Sequence, residues 1–226
     1  MFLAQDGRPL ALTWHYTRYE LVADGAVHLV GVALGAAGAA ALVVMAALNH
    51  LGWIESVSLG VYAAALLAML GVSAAYNMWP IGPRKWFLRR FDHALIYFMI
   101  AGTYTPLVAL VGNGPVAWSL LAMVWTVAAV GIGIKLFMPG RFDRVSIVLY
   151  LMLGWSGLLA YESVMSGMTP AALWLLAAGG LLFSIGVVFH VWRTLPYQNA
   201  IWHAFVLVGV ACHYFCIMTS VMAAVH

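Results

Sequence analysis

Residues 20–48 read ELVADGAVHLVGVALGAAGAAALVVMAAL. Beyond a few polar positions near its start, the stretch is apolar on every helical face. It exceeds the roughly 20 residues that carry a helix across a hydrocarbon core about 30 Å thick. Runs of the same kind recur at about 57–79, 91–112, 116–138, 145–164, 171–192 and 201–225. The fold class is therefore all-α, a bundle of seven transmembrane helices. A spanning β-barrel alternates apolar and polar residues in strands of about ten, which these uniformly apolar runs do not. Of the 226 residues, 65% are apolar and 8% charged, against about 25% charged in a soluble domain, which excludes a soluble globular protein. Seven spans with short connections leave no room for a soluble module, so residues 1–226 are expected to form one integral membrane domain.

Six of the eight prolines, Pro80, Pro83, Pro115, Pro139, Pro170 and Pro196, fall in the connections, where a helix has to stop. Pro106 lies within a span, and Thr103 and Thr105 are placed to satisfy backbone groups at the kink it should cause. Lys and Arg in short loops stay on the cytoplasmic side. Arg8 and Arg18 precede the first span, and Arg84, Lys85, Arg89 and Arg90 separate the second from the third. Lys135, Arg141 and Arg144 lie at or between the ends of the fourth and fifth, and Arg193 lies between the sixth and seventh. All of them fall on one side. The opposite connections carry Glu55 and Glu162 and no basic residue. The N-terminus is thus expected in the cytoplasm and the C-terminus outside, in a multi-pass protein of the inner (cytoplasmic) membrane. Tryptophans near the span ends, among them Trp14, Trp53, Trp79 and Trp192, support the same register, because an indole buries its ring there and keeps its N–H wet.

These placements exclude several function classes. A retinal protein needs a Schiff-base lysine deep in a helix, whereas Lys85 and Lys135 sit at the cytoplasmic edge. A G-protein-coupled receptor places its N-terminus outside. The net charge of +3 comes from dispersed residues that never form a basic block, so no nucleic-acid partner is expected. The opening MFLAQDGRPL lacks the charged n-region and short apolar core of a cleaved signal, so the first span is expected to stay in the mature protein. Cys212 and Cys216 lie in an apolar run, where thiols pack as small hydrophobes, and His213 between them suits an interhelical hydrogen bond. Gly31 and Gly35 read as close helix packing within the bundle.

Ionisable groups inside a bilayer are costly, so each is a functional candidate. Glu20, Asp24 and His28 recur every fourth residue of the first span and share a face within about 12 Å of rise. Ser73 and Asn77 leave the second span near the cytoplasm, Asp92 and His93 open the third, and Asn199 and His203 open the seventh. Each alone is explained by interhelical hydrogen bonding, worth roughly 0.6–2 kcal/mol. Their convergence at one depth from four helices points instead to a polar site in the cytoplasmic leaflet.

ELVADGAVHLVG (20–31), SAAYN (73–77), RRFDHALIYFMIAGTYTP (89–106) and IWHAFVLVGVACH (201–213) resemble the successive signature blocks of the hemolysin III proteins. These form the bacterial branch of the progestin and adipoQ receptor family. The resemblance implies a seven-helix fold with a cytoplasmic N-terminus. Members similar to the adiponectin receptors hold zinc near the cytoplasmic face with three histidines, accompanied by a Ser in the second span and an Asp in the third. By that resemblance Ser73 and Asp92 are catalytic candidates and His203 a metal ligand, but Asn77 and Asn199 occupy the other two histidine positions. An amide oxygen is a weak zinc ligand. No tightly bound cofactor is therefore expected, zinc being the one candidate, with His28 and His190 as replacement ligands if their rings turn inward. The leading expectation is a non-catalytic membrane protein, partnered by membrane lipids and acting in membrane homeostasis or cytolysis. The alternative is a metal-dependent hydrolase of lipid amides or esters, in which Asp92 orients water. Whether the chain is an enzyme, and whether it oligomerises, stay open at this point.

Overall fold

The structure, a computed structural model, describes residues 16–112 and 114–225. Arg8, Trp14 and the N-terminal decapeptide read above lie outside them. Seven helices among the described residues are long and apolar enough to cross a membrane. They are α1 (Arg18–Leu48), α2 (Trp53–Met78), α3 (Pro83–Val111), α4 (Gly114–Phe137), a broken fifth crossing, α7 (Pro170–Val191) and α8 (Gln198–Val225). The fifth crossing is α5 (Asp143–Trp155), a 3₁₀ stretch over Ser156–Ala160 and the single turn α6 (Tyr161–Val164). Consecutive helices pack on one another, except that the broken fifth crossing packs only lightly on α7, and α8 closes the bundle against α1 while also touching α3.

Local chemistry sets the helix ends. α1 starts at a capping box, in which Thr17 Oγ1 accepts from the Glu20 amide at 3.3 Å and the Glu20 carboxylate accepts from the Thr17 amide at 2.8 Å. α3 starts at Pro83, well before the expected Phe91, because its charged first turns bury Lys85, Trp86 and Arg89 on one face. Lys85 Nζ donates to the carbonyls of Tyr76 (2.8 Å), Asn77 (2.8 Å) and Trp79 (3.1 Å). One ammonium thereby satisfies carbonyls that α2 leaves open at its C-terminus, where the helix dipole also favours a cation.

Side-chain bonds place the starts of α1, α3, α5 and α8 at the same end as the finishes of α2, α4 and α7. Glu20 Oε1 accepts from the Tyr197 amide at 2.9 Å, and Gln198 Nε2 donates to the His190 carbonyl at 3.0 Å. Arg89 Nη2 and Lys135 Nζ each lie 2.8 Å from an oxygen of Asp143. The described Lys and Arg residues all belong to this end, called here the basic end. At the other end Asn49, Glu55, Leu110 and Ala224 surround a small pocket.

Close packing follows the small residues. A Cβ on Gly35 would lie 2.4 Å from Leu70 Cδ1, and one on Gly102 would lie 2.7 Å from the Ala65 Cβ, so α1 and α3 both approach α2 through glycine. Gly35 thus packs inside the bundle, as its spacing suggested. Around Pro106, Thr103 and Thr105 donate to the carbonyls of Met99 and Ala101, at 2.9 and 2.8 Å. The break in the fifth crossing is stitched by Tyr104, whose hydroxyl accepts from the Gly157 amide at 2.7 Å and donates to the Gly154 carbonyl at 2.9 Å.

Candidate functional site

Positions four apart share a helical face, and α1 accordingly turns Asp24 and His28 together into the bundle, both buried. From α8, His203 Nδ1 lies 2.6 Å from Asp24 Oδ1, and Asn199 Nδ2 donates to Asp24 Oδ2 at 2.8 Å. The same Asn199 nitrogen donates to Asn77 Oδ1 at 3.0 Å, and Asn77 Nδ2 donates to the Ser73 carbonyl at 2.9 Å and to its hydroxyl at 3.3 Å. The Ser73 hydroxyl interacts in turn with the Asp92 carboxyl on α3. Six side chains from four helices thus form one continuous polar chain. His28 stands beside it with its ring centroid 4.4 Å from that of His203. Its Nε2 is 3.7 Å from Asp24 Oδ1, beyond hydrogen-bond reach, and is buried without a partner. Among the described residues, Asp24, His28 and His203 form a group of metal-ligating types whose ligand atoms all lie within 4.8 Å of one another.

His28, Ser73, Asp92 and His203 face a cavity of about 900 Å³ enclosed by α1, α2, α3, α5, α7 and α8. Asp24, Asn77 and Asn199 stand behind that wall. Toward the basic end the cavity is also lined by Arg89, His93, Asp143, Arg144, His190 and Arg193. The rest is mostly apolar, with Met99, Ile100, Leu107, Leu173 and Phe183 along its length. Leu158, Tyr161 and Trp174 line it as well, and they are 56%, 52% and 77% exposed, so the cavity reaches the outer surface of the bundle between the broken fifth crossing and α7.

The remaining expected site residues lie elsewhere or act otherwise. Glu20 is not in the polar chain; its carboxylate is spent on the α1 cap and on the Tyr197 amide. His190 lines the cavity with its ring 4.9 Å from that of Trp202 and an unpartnered Nδ1, apart from the Asp24 group. His213 Nε2 lies 3.3 Å from the Leu176 carbonyl, an interhelical contact. The sequence reading did not single out the Arg89–Asp143–Lys135 group. No local spacing reveals it, since Asp143 lies 54 residues from Arg89.

Comparison with known proteins agrees with this architecture. The pattern of the family described as Haemolysin-III related matches residues 19–214. The chain belongs to that family. The Hemolysin-3 homolog of Bacillus subtilis (strain 168) is 34% identical over 203 residues, covering 90% of this chain and 95% of its own length. Hemolysin-3 of Bacillus cereus is 43% identical over 131 residues, which are 58% of this chain and 60% of that protein. The Monocyte to macrophage differentiation factor of Homo sapiens is 31% identical over 171 residues, 72% of this chain and 70% of its own.

The three-histidine zinc site that the family resemblance implies does not fit here. At two of its positions stand Asn77 and Asn199, whose amides are hydrogen-bonded to each other at 3.0 Å. Asn199 also turns its NH₂ group toward Asp24, and an NH₂ group has no lone pair for a metal. What the arrangement offers is two imidazoles and a carboxylate, Asp24, His28 and His203, a set that shares only His203 with the implied one, with Asp92 and Ser73 presented to the cavity.

Proposed function

We propose that this haemolysin-III related protein acts in membrane homeostasis by taking an amphiphilic lipid from the surrounding bilayer into its cavity. Its polar site then lies in the cytoplasmic leaflet of the inner membrane, with the N-terminus cytoplasmic. The observation that carries the reading is the cavity, about 900 Å³, apolar along most of its length, polar at the basic end and reaching the surface beside Trp174. An acyl chain entering sideways between the fifth crossing and α7 buries its apolar length. Its headgroup meets Asp92, Ser73, Arg89 and Arg144. Pockets that bind small ligands have this make-up, apolar walls with a few convergent polar groups. The cytoplasmic assignment rests on the basic residues gathered at that end.

The test is lipid retention. Protein purified in mild detergent should carry a co-purifying amphiphile, detected by native mass spectrometry, and Ala177→Trp, which fills the cavity from α7, should lose it. An empty wild-type protein refutes the reading. Orientation is checked separately with a reporter fused to the C-terminus, which should read as external.

A second reading, hydrolysis of a lipid amide or ester, is favoured by the presence of Asp92 and Ser73 on the cavity wall next to His203. A carboxylate there can orient a water, as a general base does when it lies within hydrogen-bond reach of the proton it takes. Turnover of a short-chain amide or ester by the purified protein, lost in Asp92→Asn, would favour this reading over the non-catalytic one.

A further inference from the structure

We propose that Asp24, His28 and His203 form a divalent transition-metal site that shares only His203 with the three-histidine set implied by the family and is built chiefly on the first helix. Two imidazoles and one carboxylate are a ligand set that holds zinc with three protein ligands and leaves one position free. Two of the three ligands come from one face of α1, one turn apart, and the third comes from α8, which packs against α1. Ligands at 2.0–2.2 Å around a tetrahedral zinc lie about 3.3 Å from each other. Here Asp24 Oδ1 lies 2.6 Å from His203 Nδ1 and 3.7 Å from His28 Nε2, values that straddle that spacing. These two pairs need an adjustment of about an ångström or less, and all three ligand atoms already lie within 4.8 Å of one another.

The second observation is His28 itself. The residue is 7% exposed, and its Nε2 is buried with no hydrogen-bond partner although a carboxylate oxygen stands 3.7 Å away. Buried polar atoms are nearly always partnered, and each exception asks for a reason such as an ion. A metal shared with Asp24 supplies one. Asn199 completes the design by holding the other Asp24 oxygen at 2.8 Å, since hydrogen bonds to ligating carboxylates fix their orientation. His28 and His203 both line the cavity, whereas Asp24 stands behind its wall. Zinc binds such N and O ligands more tightly than iron or manganese, and it is the metal to test. The proposal rests on this cluster alone and is independent of what enters the cavity.

The experiment uses the full-length protein in detergent, stripped with a chelator, incubated with excess Zn²⁺, desalted and assayed by elemental analysis. Wild-type protein should retain about one zinc per chain, and Co²⁺ loading should give a visible ligand-field band. His28→Gln should abolish both signals, and Asn199→Ala should weaken zinc binding about 10-fold by releasing Asp24. Asn77→Ala, altered at an implied family position outside the set, should keep its zinc. Because a variant can lose metal by misfolding, the wild-type protein provides a second measurement, a Zn²⁺-dependent rise in Tm that helical, monodisperse His28→Gln protein lacks. Folded wild-type protein that retains no zinc and shows no Tm rise overturns the proposal. So does zinc retention that survives His28→Gln but not Asn77→Ala.

Discussion

Asp24 and Asp143 are both held near the basic end of the bundle, and they are satisfied in opposite ways. Asp143 takes the Arg89 guanidinium on one oxygen and the Lys135 ammonium on the other, both at 2.8 Å. Those partners, a guanidinium and an amine, are almost wholly buried, Arg89 at 7% and Lys135 at 2% exposure. Asp24 takes an imidazole on one oxygen and a neutral amide on the other. The first group ties α3, α4 and α5 together with its charges matched. The second leaves an imidazole nitrogen unpaired beside it, although residues of both groups line the same cavity. Burial of charge is common to both, so burial does not separate a fastening from a site. An incomplete set of partners does.

The sharpest break of this comparison is Asp143→Asn. It leaves two buried cations facing an amide, and removing one partner from a buried charge group costs about 3–5 kcal/mol. The Asp143 side chain is itself 33% exposed, which lets water screen part of the loss, so the expected effect is near the lower figure. Thermal unfolding in detergent should show a large drop in Tm or little recoverable protein. A near-normal Tm would mean that the Arg89–Asp143–Lys135 group is not a fastening.

The two regions also differ in how far the sequence revealed them. The spans were legible because a bilayer demands long apolar runs, and the Asp24 chain was legible because i, i+4 spacing places Asp24 with His28, and Asn199 with His203, on single faces. What spacing could not supply was ring direction, which decides whether His28 joins His203. The start of α3 was misplaced because Lys85 and Arg89 look like loop charges until their partners appear, a set of α2 carbonyls in one case and Asp143 in the other. Glu20 shares the spacing of Asp24 and His28 yet belongs to the helix cap. A Thr three residues before it, at Thr17, was the local signal for that role.

The smaller effect, and the one that sharpens the comparison most, is expected from Asp24→Asn. The substituted side chain keeps its shape and one acceptor oxygen, which can still receive a proton from His203 Nδ1. Its new NH₂ group replaces the oxygen that faces Asn199 Nδ2, so that donor must turn to another partner or go unpaired. No fixed cation loses its counter-charge, because the neighbours in contact with Asp24 are imidazoles and an amide. The net loss is therefore about one hydrogen bond to a carboxylate, roughly 2 kcal/mol, still below the effect at Asp143. Both variants are measured after chelator treatment, so that loss of a bound metal adds nothing to the difference. A drop in Tm at Asp24→Asn as large as that at Asp143→Asn would place Asp24 among the structural fastenings and erase the distinction drawn between the two carboxylates.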